Sequence, residues 1–422
     1  MRTLDRRVVI TGVGAVTPVG NDAPTTWASL VAGRSGVGPI TTFDASTFAV
    51  RIAGMVKDFD AEARIPDERL RRHLSRPGAF GVAAAAEALA DAGIDDTTYP
   101  AHLRGVSVGA TAGRPALAEL AEIFHRIKGA LPLYRHPPDH VWERDQNVPA
   151  AAIAQLAGCE GPVVGVSTAC TASGHAIGEA YRRIQEGDAS MMVAGGYDSL
   201  ITWLDVLGFS LLGALTTDHA AEPERASRPF SADRSGFVLG EGAVMVVLED
   251  LDSALARGAT VHAEITGYAA TMNAYRMTDP PPDGGGVTLA MAQALEDAGV
   301  APDEVGYIAA HGTSTPGNDI CETRAIKDVF GGHASKVAIS SAKSMVGHLT
   351  AAAAGVGLVG ALGVLREKVA PPTINLDEPD PKLDLDYVPN TSAAVDTRTA
   401  MVNAFAFGGT NACLIVQELT TS

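Results

Sequence analysis

Apolar residues along the chain are grouped into short continuous runs that alternate with longer, alanine-rich stretches. The short runs are rich in valine and isoleucine and predict buried β-strands, whereas the longer stretches predict helices, some of which end at glycine. The predicted strands lie at 8–11, 105–109, 163–167, 190–195, 242–248, 261–267, 306–311, 337–341 and 412–416, and the predicted helices at 80–93, 172–185, 286–299 and 349–365. Strands separated by helices of this length imply βαβ crossovers and a mainly parallel sheet.

The order of these elements repeats once, which indicates a duplicated α/β unit with halves at 1–250 and 251–422. In each half one strand leads directly into a helix, at 172–185 and at 349–365. The second of these helices is apolar on every side, which is typical of a buried helix. Two buried helices between two sheets predict a layered α-β-α-β-α domain.

Composition and charge exclude several classes of protein. The 422 residues are 46% hydrophobic and 19% charged, which excludes a disordered chain. The net charge of −17 argues against nucleic acid or an anionic membrane as the main partner. The apolar run at 349–365 is interrupted by Thr350 and by glycines, so we expect it to fall short of a membrane span. The N-terminus has no signal-peptide pattern, and a cytoplasmic protein is expected.

The sequence predicts neither a metal nor a nucleotide. The turn that contains Gly12 and Gly14 lacks the full spacing and the acidic partner of a dinucleotide-binding loop. Four cysteines are too few for a disulfide scaffold and show no metal-ligand spacing. They are Cys159, Cys170, Cys321 and Cys413.

Four chemically capable side chains follow predicted strands. Cys170 follows the strand at 163–167, His311 closes the strand at 306–311, and Lys343 and His348 follow the strand at 337–341. A helix N-terminus favours a thiolate, so the pKa of Cys170 is expected to fall. Equivalent strand exits converge in a duplicated fold, so these groups are expected in one pocket. Each of them alone also has a purely structural interpretation.

This combination of groups suits acyl transfer with carbanion chemistry. A thiolate can attack a thioester and hold the acyl chain. Two neutral imidazoles can donate hydrogen bonds to a second carbonyl as it becomes enolate-like. The glycine-rich segment 403–411 brings backbone close to a ligand and could supply an N–H group to an oxyanion. Its alternative interpretation is a tight turn beside a strand.

Four motifs, in this order, resemble the β-ketoacyl-acyl carrier protein synthases, which are condensing enzymes of the thiolase superfamily. They are Thr-Ala-Cys-Thr-Ala-Ser-Gly at 168–174, His-Gly-Thr-Ser-Thr-Pro-Gly-Asn-Asp at 311–319, Ser-Ala-Lys-Ser-Met-Val-Gly-His-Leu at 341–349 and Asn-Ala-Phe-Ala-Phe-Gly-Gly-Thr-Asn at 403–411. The resemblance implies an α/β, thiolase-like, duplicated five-layer α-β-α-β-α fold. It also implies decarboxylative condensation of an acyl chain with malonyl-acyl carrier protein. No cofactor is implied beyond the phosphopantetheine of the carrier protein.

The resemblance implies a role for each matching residue. Cys170 would accept the acyl chain, and His311 and His348 would promote decarboxylation of a malonyl thioester. Lys343, paired with Glu322, would organise the two histidines. The oxyanion hole and its gate would be formed by the N–H groups of Cys170 and Phe407, the Phe407 side chain, Gly408 and Gly409. The substrate pocket would include Ala112, Thr313, Thr315 and Phe405.

Two features favour one branch of this family. Ala112 aligns with a position at which the fatty-acid enzymes of the family that this chain resembles have a larger aliphatic residue. The stretch at 136–145 is also unlike those primary fatty-acid enzymes. Both favour a type II polyketide or polyene ketosynthase, with primary fatty-acid elongation as the alternative. A mainly structural, chain-length-determining subunit would share the fold but lack the cysteine. A coenzyme A-dependent thiolase is a further alternative.

The resemblance also implies partners. An acyl carrier protein is acidic, and so is this chain, so a local basic patch is required. Arg69, Arg71 and Arg72 form the densest one in the sequence, although a solvated helix face would have the same composition. The family dimerises, and the sequence leaves open a homodimer or a heterodimer with a cysteine-lacking sister chain of the chain-length-factor type.

Overall fold

The protein is built on one large sheet and the helices that cover it. The computed structural model describes residues 6–111, 113, 117–131 and 142–420. The strands are β1 (Val8–Val16), β2 (Val37–Pro39), β3 (Ile52–Gly54), β4 (Arg104–Gly109), β5 (Val163–Val166), β6 (Met191–Ser199), β7 (Glu241–Asp250), β8 (Ala263–Met272), β9 (Tyr307–Ala309), β10 (Ala338–Ser340), β11 (Val369–Ala370), β12 (Ala393–Ala394), β13 (Thr399–Phe405) and β14 (Thr410–Gln417).

The helices lie between these strands. They are α1 (Ala23–Val31), α2 (Ala61–Arg64), α3 (Glu68–Arg71), α4 (Arg76–Ala92), α5 (Leu117–Lys128), α6 (Asn147–Leu156), α7 (Ala172–Gln185), α8 (Trp203–Leu211), α9 (Leu251–Ala256), α10 (Gly285–Ala298), α11 (Pro316–Phe330), α12 (Lys343–Val346) and α13 (Ala353–Glu367). Helices α4 and α10 end at Gly93 and Gly299, both with φ of 63°. A left-handed glycine is a favoured helix terminator, which is why the two glycines stop the helices as predicted.

The 10-stranded sheet has two halves with the same strand order. Its strands run β10-β9-β13-β14-β8-β1-β7-β6-β4-β5. One half therefore reads β1-β7-β6-β4-β5 outward from the centre and the other reads β8-β14-β13-β9-β10. The halves meet where 8–10 of β1 pairs antiparallel with 263–265 of β8. The duplication is thus visible in the topology, while the boundary at residue 250 stays a prediction.

The sheet is mixed rather than mainly parallel, which corrects the expectation from the sequence. The outer strands of each half are parallel, as in β4 with β5 and β9 with β10. Strands β13 and β14 are antiparallel, because only four residues separate them and a connection this short reverses the chain. Strands β6 and β7 form the corresponding antiparallel pair in the first half.

Five layers follow from the way the helices cover the sheet. Helices α7 and α13 lie in the centre, where Ile177 and Leu358 share one buried core with Val246 of the first half-sheet and Leu414 of the second. Helices α4 and α6 pack on the outer face of the first half. Helices α10 and α11 pack on the outer face of the second half. The predicted duplicated α-β-α-β-α fold is therefore confirmed.

The central helix α13 and the turn before it are almost entirely buried. By length and composition alone, the segment Thr350–Glu367 is apolar enough to cross a membrane, a test that a buried core helix also passes. However, 83% of that segment is buried inside the protein. A helix that is apolar all round is typical of a protein core as well as of a membrane.

Candidate active site

The predicted nucleophile lies in a turn between a strand and a central helix. Strand β5 ends at Val166, a 3₁₀ turn covers Ala169–Thr171, and helix α7 begins at Ala172. Ala169 has a φ of 50°, a left-handed conformation that is uncommon for a residue with a Cβ. Cys170 is partly exposed and lines a cavity of about 690 Å³ together with His311, His348 and Phe407. The strand exits do converge on one cavity.

Burial raises the pKa of the Cys170 thiol to about 11, although the Lys343 ammonium and the N–H groups of Phe407 and of Cys170 itself lower it. The expectation that a helix N-terminus lowers this pKa is therefore wrong. Cys170 precedes the first turn of α7, and the loss of hydration outweighs the nearby positive charge. The charge of Asp198 also disfavours the thiolate. In the free protein Cys170 is a thiol at neutral pH.

His311 and Glu322 are connected through the backbone. The N–H groups of His311 and Gly312 each donate to the Glu322 carboxylate at 2.8 Å, and the Asn403 side-chain amide donates to the same group at 3.2 Å. Glu322 is fully buried on helix α11. This carboxylate fixes the backbone that leaves strand β9 and with it the position of the His311 ring.

Lys343 contacts His311 rather than Glu322, which corrects the expected pairing. Its Nζ donates to the His311 carbonyl oxygen at 2.5 Å and lies 3.4 Å from His311 Nδ1. Glu322 acts on Lys343 through its charge, since it raises the pKa of the ammonium, while burial dominates and lowers that pKa to about 8. Lys343 is therefore held against His311 and stays mainly charged at neutral pH.

The two imidazoles lie edge to face, and both are neutral. Their ring centroids are 5.3 Å apart with an angle of 80° between the planes. Burial lowers the pKa of both rings well below the usual value, and the Lys343 charge lowers both further. The Thr350 N–H donates to His348 Nδ1 at 3.2 Å, so the proton of that neutral ring is on Nε2. With Lys343 Nζ beside Nδ1 of His311, Nε2 carries the proton there too.

The glycine-rich segment forms the tight turn between β13 and β14. Gly408 and Gly409 have φ of 87° and 84°, a region that favours glycine. The Phe407 ring lies at the cavity with its centroid 6.3 Å from that of Phe237. Because the Phe407 N–H reaches the Cys170 sulfur, the predicted pair of oxyanion donors lies at the nucleophile.

The other predicted pocket residues are placed as follows. Thr313, Thr315 and Phe405 line the same cavity, and Phe405 packs edge-on against His311 at 5.6 Å between ring centroids. Ala112 lies outside the described residues. The apolar part of the cavity wall, which the sequence analysis did not identify, is made by Leu200, Phe209, Leu212, Ala214 and Phe237.

The predicted basic patch does not line the cavity. Arg69 binds Asp67 on its own short helix at 2.7 Å, and Arg71 donates to the Ile65 carbonyl at 2.6 Å. Arg72 is exposed. A basic residue that the sequence analysis missed, Arg276, lines the cavity, and its side chain is 69% exposed.

Asp198 is a second residue that the sequence analysis missed. It lies near the end of β6 and is buried, and its carboxylate accepts hydrogen bonds from Thr111 and from the turn that follows His348. The sequence contains one signal for this residue. Asp198 is an acidic residue shortly after the run at 190–195, which predicts a buried strand. Such a group is rarely buried without a specific set of hydrogen-bond donors.

Comparison with known proteins agrees with this geometry. Residues 5–254 match the model of the β-ketoacyl synthase N-terminal domain and residues 262–377 match that of the C-terminal domain. The chain is 44% identical over 413 residues to 3-oxoacyl-[acyl-carrier-protein] synthase 2 of Synechocystis sp., with 98% of each chain covered.

Solved structures give the same family. The ishigamide ketosynthase/chain length factor has a TM-score of 0.88 at 35% identity, covering 98% of this chain and 100% of that one. A type II polyketide synthase acyl-carrier protein in complex with its ketosynthase bound to the hexaketide has a TM-score of 0.86 at 33% identity, with the same coverage. The chain belongs to the β-ketoacyl synthase family and is an acyltransferase of that kind.

Proposed function

We propose that this protein elongates an acyl chain by decarboxylative condensation with a malonyl group carried by an acyl carrier protein. The observation that carries the proposal is the arrangement of Cys170, His311 and His348 around one cavity, with two backbone N–H groups at the sulfur. A thiol supplies the acyl acceptor, and two neutral imidazoles supply hydrogen bonds to developing negative charge.

The first step is acyl transfer to Cys170. The sulfur forms a bond to the acyl carbon, the thioester bond of the incoming carrier breaks, and the Cys170 proton ends on the released carrier thiol. The tetrahedral intermediate places a negative oxygen near the sulfur, where the N–H groups of Cys170 and Phe407 stabilise it. Because the thiol has a pKa of about 11, loss of its proton accompanies the attack rather than preceding it.

The second step uses the two imidazoles. The bond between the malonyl carboxylate and its carbon breaks, carbon dioxide leaves, and the electron pair becomes an enolate whose oxygen accepts hydrogen bonds from Nε2–H of His311 and His348. The enolate carbon attacks the Cys170 thioester, and the sulfur leaves as a thiolate that takes up a proton from solvent. Neutral imidazoles suit this role, because they donate hydrogen bonds without adding a full charge.

We propose fatty-acid chain elongation rather than the polyketide branch favoured by the sequence motifs. The support is the identity of 44% with a 3-oxoacyl-[acyl-carrier-protein] synthase 2. The apolar wall made by Leu200, Phe209 and Phe237 also suits a hydrocarbon chain. Polyketide elongation is the second candidate, because both solved ketosynthases described above belong to polyketide-type systems.

An acyl carrier protein is the proposed donor of both substrates. The solved complex of a related ketosynthase with its carrier protein supports this partner. We propose that the acidic carrier docks near the mouth of the cavity, where Arg276 is exposed, with Arg69, Arg71 and Arg72 as the second basic area. Opposite charges would orient the carrier before its phosphopantetheine enters the cavity.

A second chain is the other proposed partner. Strand β5 lies at the edge of the 10-stranded sheet, and the side chain of Val163 on it is 60% exposed. Exposed sheet edges with apolar side chains favour pairing with another chain. Helix α5, in the same half of the chain, adds an exposed apolar stripe formed by Leu117, Leu120, Phe124 and Ile127. We propose a dimer through this region, either of two copies or with a sister chain.

Intact mass spectrometry tests the function. The purified protein is incubated with acyl- and malonyl-carrier protein, with Cys170→Ala in parallel. We expect an acyl adduct on the wild type only, followed by a β-ketoacyl product two carbons longer. Retained condensation by Cys170→Ala would refute the role of the cysteine. Absence of an adduct, alone and with a candidate sister chain, would support the structural-subunit alternative.

A further inference from the structure

Asp198 is a buried carboxylate that takes no part in the proposed chemistry, and it accepts hydrogen bonds from the turn beside His348. Asp198 is 3% exposed. Its carboxylate accepts hydrogen bonds from the hydroxyls of Thr111 and Thr350 and from the N–H groups of Ser199 and Ala351. All four donors are uncharged. A carboxylate is costly to bury, so this position retains one only with such a complete set of donors.

Three of these hydrogen bonds converge on one oxygen. Oδ2 accepts from Thr111 Oγ1 at 2.7 Å, from Thr350 Oγ1 at 2.5 Å and from the Ala351 N–H at 3.0 Å. Among the described residues, Oδ1 accepts from the Ser199 N–H alone, at 3.0 Å. The oxygen that faces the His348 turn therefore holds that turn at two successive residues, and the other oxygen only holds the local strand.

The turn that Asp198 holds is a strained one. Thr350 has a φ of 45°, a conformation that is unfavourable for a β-branched residue and that persists only where the surroundings enforce it. In this conformation the Thr350 N–H donates to Nδ1 of His348 at 3.2 Å. Release of this turn would allow the peptide unit between Leu349 and Thr350 to rotate, which would turn the Thr350 N–H away and leave Nδ1 free to carry the ring proton.

We propose that Asp198 is a positioning residue for His348, because it holds the left-handed Thr350 and its neighbour Ala351 in the turn whose Thr350 N–H group keeps the imidazole proton on Nε2. This inference rests on the proposed function for its effect on catalysis, since only Nε2–H is free to donate to the malonyl thioester carbonyl. The tautomer itself is a property of the free protein and can be measured without substrate.

A conservative variant separates geometry from charge. Asp198→Asn keeps a carbonyl oxygen at the Oδ2 position, where three donors meet, and loses only the acceptor for Ser199. Asp198→Ala removes all four hydrogen bonds. If the clamp acts through geometry, the asparagine variant is expected to retain the turn and the alanine variant to lose it.

The first measurement is the tautomer of His348. Protein labelled with ¹⁵N in the histidine rings gives separate nitrogen resonances for protonated and unprotonated ring positions, and His348→Gln identifies the His348 signals. We expect the Nε2–H form in the wild type and in Asp198→Ala a mixture of both tautomers. Asp198→Asn is expected to stay in the Nε2–H form.

The second measurement divides the reaction into its two halves. Decarboxylation of malonyl-carrier protein requires His348, whereas acylation of Cys170 by acyl-carrier protein uses the backbone N–H groups. A misdirected donor typically costs roughly 10²-fold in rate. We therefore expect Asp198→Ala to slow decarboxylation on the order of 10²-fold. Acylation is expected not to slow, because loss of the Asp198 charge favours the Cys170 thiolate. Asp198→Asn is expected to lose far less in decarboxylation than Asp198→Ala.

A second pair of variants applies if Asp198→Ala does not fold. Thr350→Val removes one hydroxyl from the clamp and keeps the side-chain shape, so a smaller shift of the same kind is expected. Its matched control is Thr26→Val, which removes the hydroxyl of an equally buried threonine that bonds Thr17 and does not line the cavity. The control is expected to change neither the tautomer nor the ratio of the two half-reactions.

The outcomes are distinct. An unchanged tautomer in Asp198→Ala, or in Thr350→Val where the first variant does not fold, would overturn the proposal. So would an equal loss in both half-reactions, which indicates a general structural role. A third outcome is that the wild type neither accepts an acyl group nor decarboxylates malonyl-carrier protein, while the tautomer still shifts in Asp198→Ala. That result would refute the proposed function and leave the positioning role of Asp198 intact.

Discussion

The pH dependence of alkylation at Cys170 tests the electrostatics of the site directly. Burial raises the pKa of this thiol to about 11, from an ordinary value of 9.0. That difference corresponds to about 3 kcal/mol against the thiolate, since one pKa unit is worth about 1.4 kcal/mol. At pH 7 the thiolate fraction is then about 10⁻⁴ rather than about 10⁻², so alkylation is expected to be roughly 100-fold slower than for an unperturbed thiol.

Iodoacetamide is a suitable reagent, because it reacts with the thiolate and not with the thiol. The rate at Cys170 is expected to keep rising between about pH 7 and pH 10 without reaching a plateau, with a shallower slope near pH 8, where Lys343 loses the charge that lowers the Cys170 pKa. Peptide mass mapping separates Cys170 from Cys159, whose pKa burial also raises to about 11. A rate that levels off near pH 8 would refute the conclusion that burial dominates at Cys170.

Lys343→Met provides the matched perturbation. The Lys343 ammonium lowers the pKa of Cys170, so its removal is expected to slow alkylation at neutral pH. The pKa of Lys343 is itself about 8, and above that pH the wild type loses the same charge. The two proteins are therefore expected to differ below pH 8 and to converge above it. Faster alkylation of Lys343→Met at pH 7 would show that the sign is wrong.

Three further predictions follow from the packing and the charges. Glu322→Gln removes the charge that binds the N–H groups of His311 and Gly312. It is expected to lower the free energy of unfolding, measured in urea, by about 1–3 kcal/mol, and an unchanged unfolding midpoint would contradict this prediction. Gly178→Ala would press a methyl group into the Tyr268 ring and is expected to cost about 1–3 kcal/mol, visible as a lower melting temperature. Val163→Lys at the exposed sheet edge is expected to convert a dimer into single chains in light scattering; a variant that keeps the wild-type dimer mass would place the interface elsewhere.

The sequence predicts nine strands of the 10-stranded sheet in position but not always in extent, and it does not predict β13. The sequence predicts strand β1 only over 8–11, because Gly12 and Gly14 are typical of a turn. The strand in fact continues to Val16. A Cβ at Gly12 or Gly14 would collide with carbonyl oxygens of helix α4, those of Ala88 and Ala84. These glycines permit close packing of a helix on a strand, a tertiary requirement that local sequence does not distinguish from a turn.

The boundaries of the helices were predictable where local signals mark them. Helix α7 lies at 172–185 as predicted, and glycine ended α4 and α10 as expected. The start of α4 was predicted at residue 80, although the helix begins at Arg76, with Ser75 accepting the Gly78 N–H and a proline in the first turn. Serine followed closely by proline is a known start signal, so this boundary was available in the sequence.

The convergence of the site was predictable because topology alone brings strand ends together. The electrostatics were not, because they depend on how far each group is removed from water. Burial reversed the expected direction for the pKa of Cys170, and a contact with the His311 carbonyl replaced the expected pairing of Lys343 with Glu322. Asp198 was missed because its donors come from segments distant in the chain, at Thr111 and Thr350.

One buried ammonium connects the two halves of the proposed reaction. The Lys343 charge lowers the pKa of Cys170, which favours acyl transfer, and it also lowers the pKa of His311 and His348, which keeps both rings neutral. Moving this charge into water would weaken both effects, because charges interact weakly at high dielectric. The burial that makes Cys170 a weak acid is thus the condition under which one lysine can act on the cysteine and on both histidines.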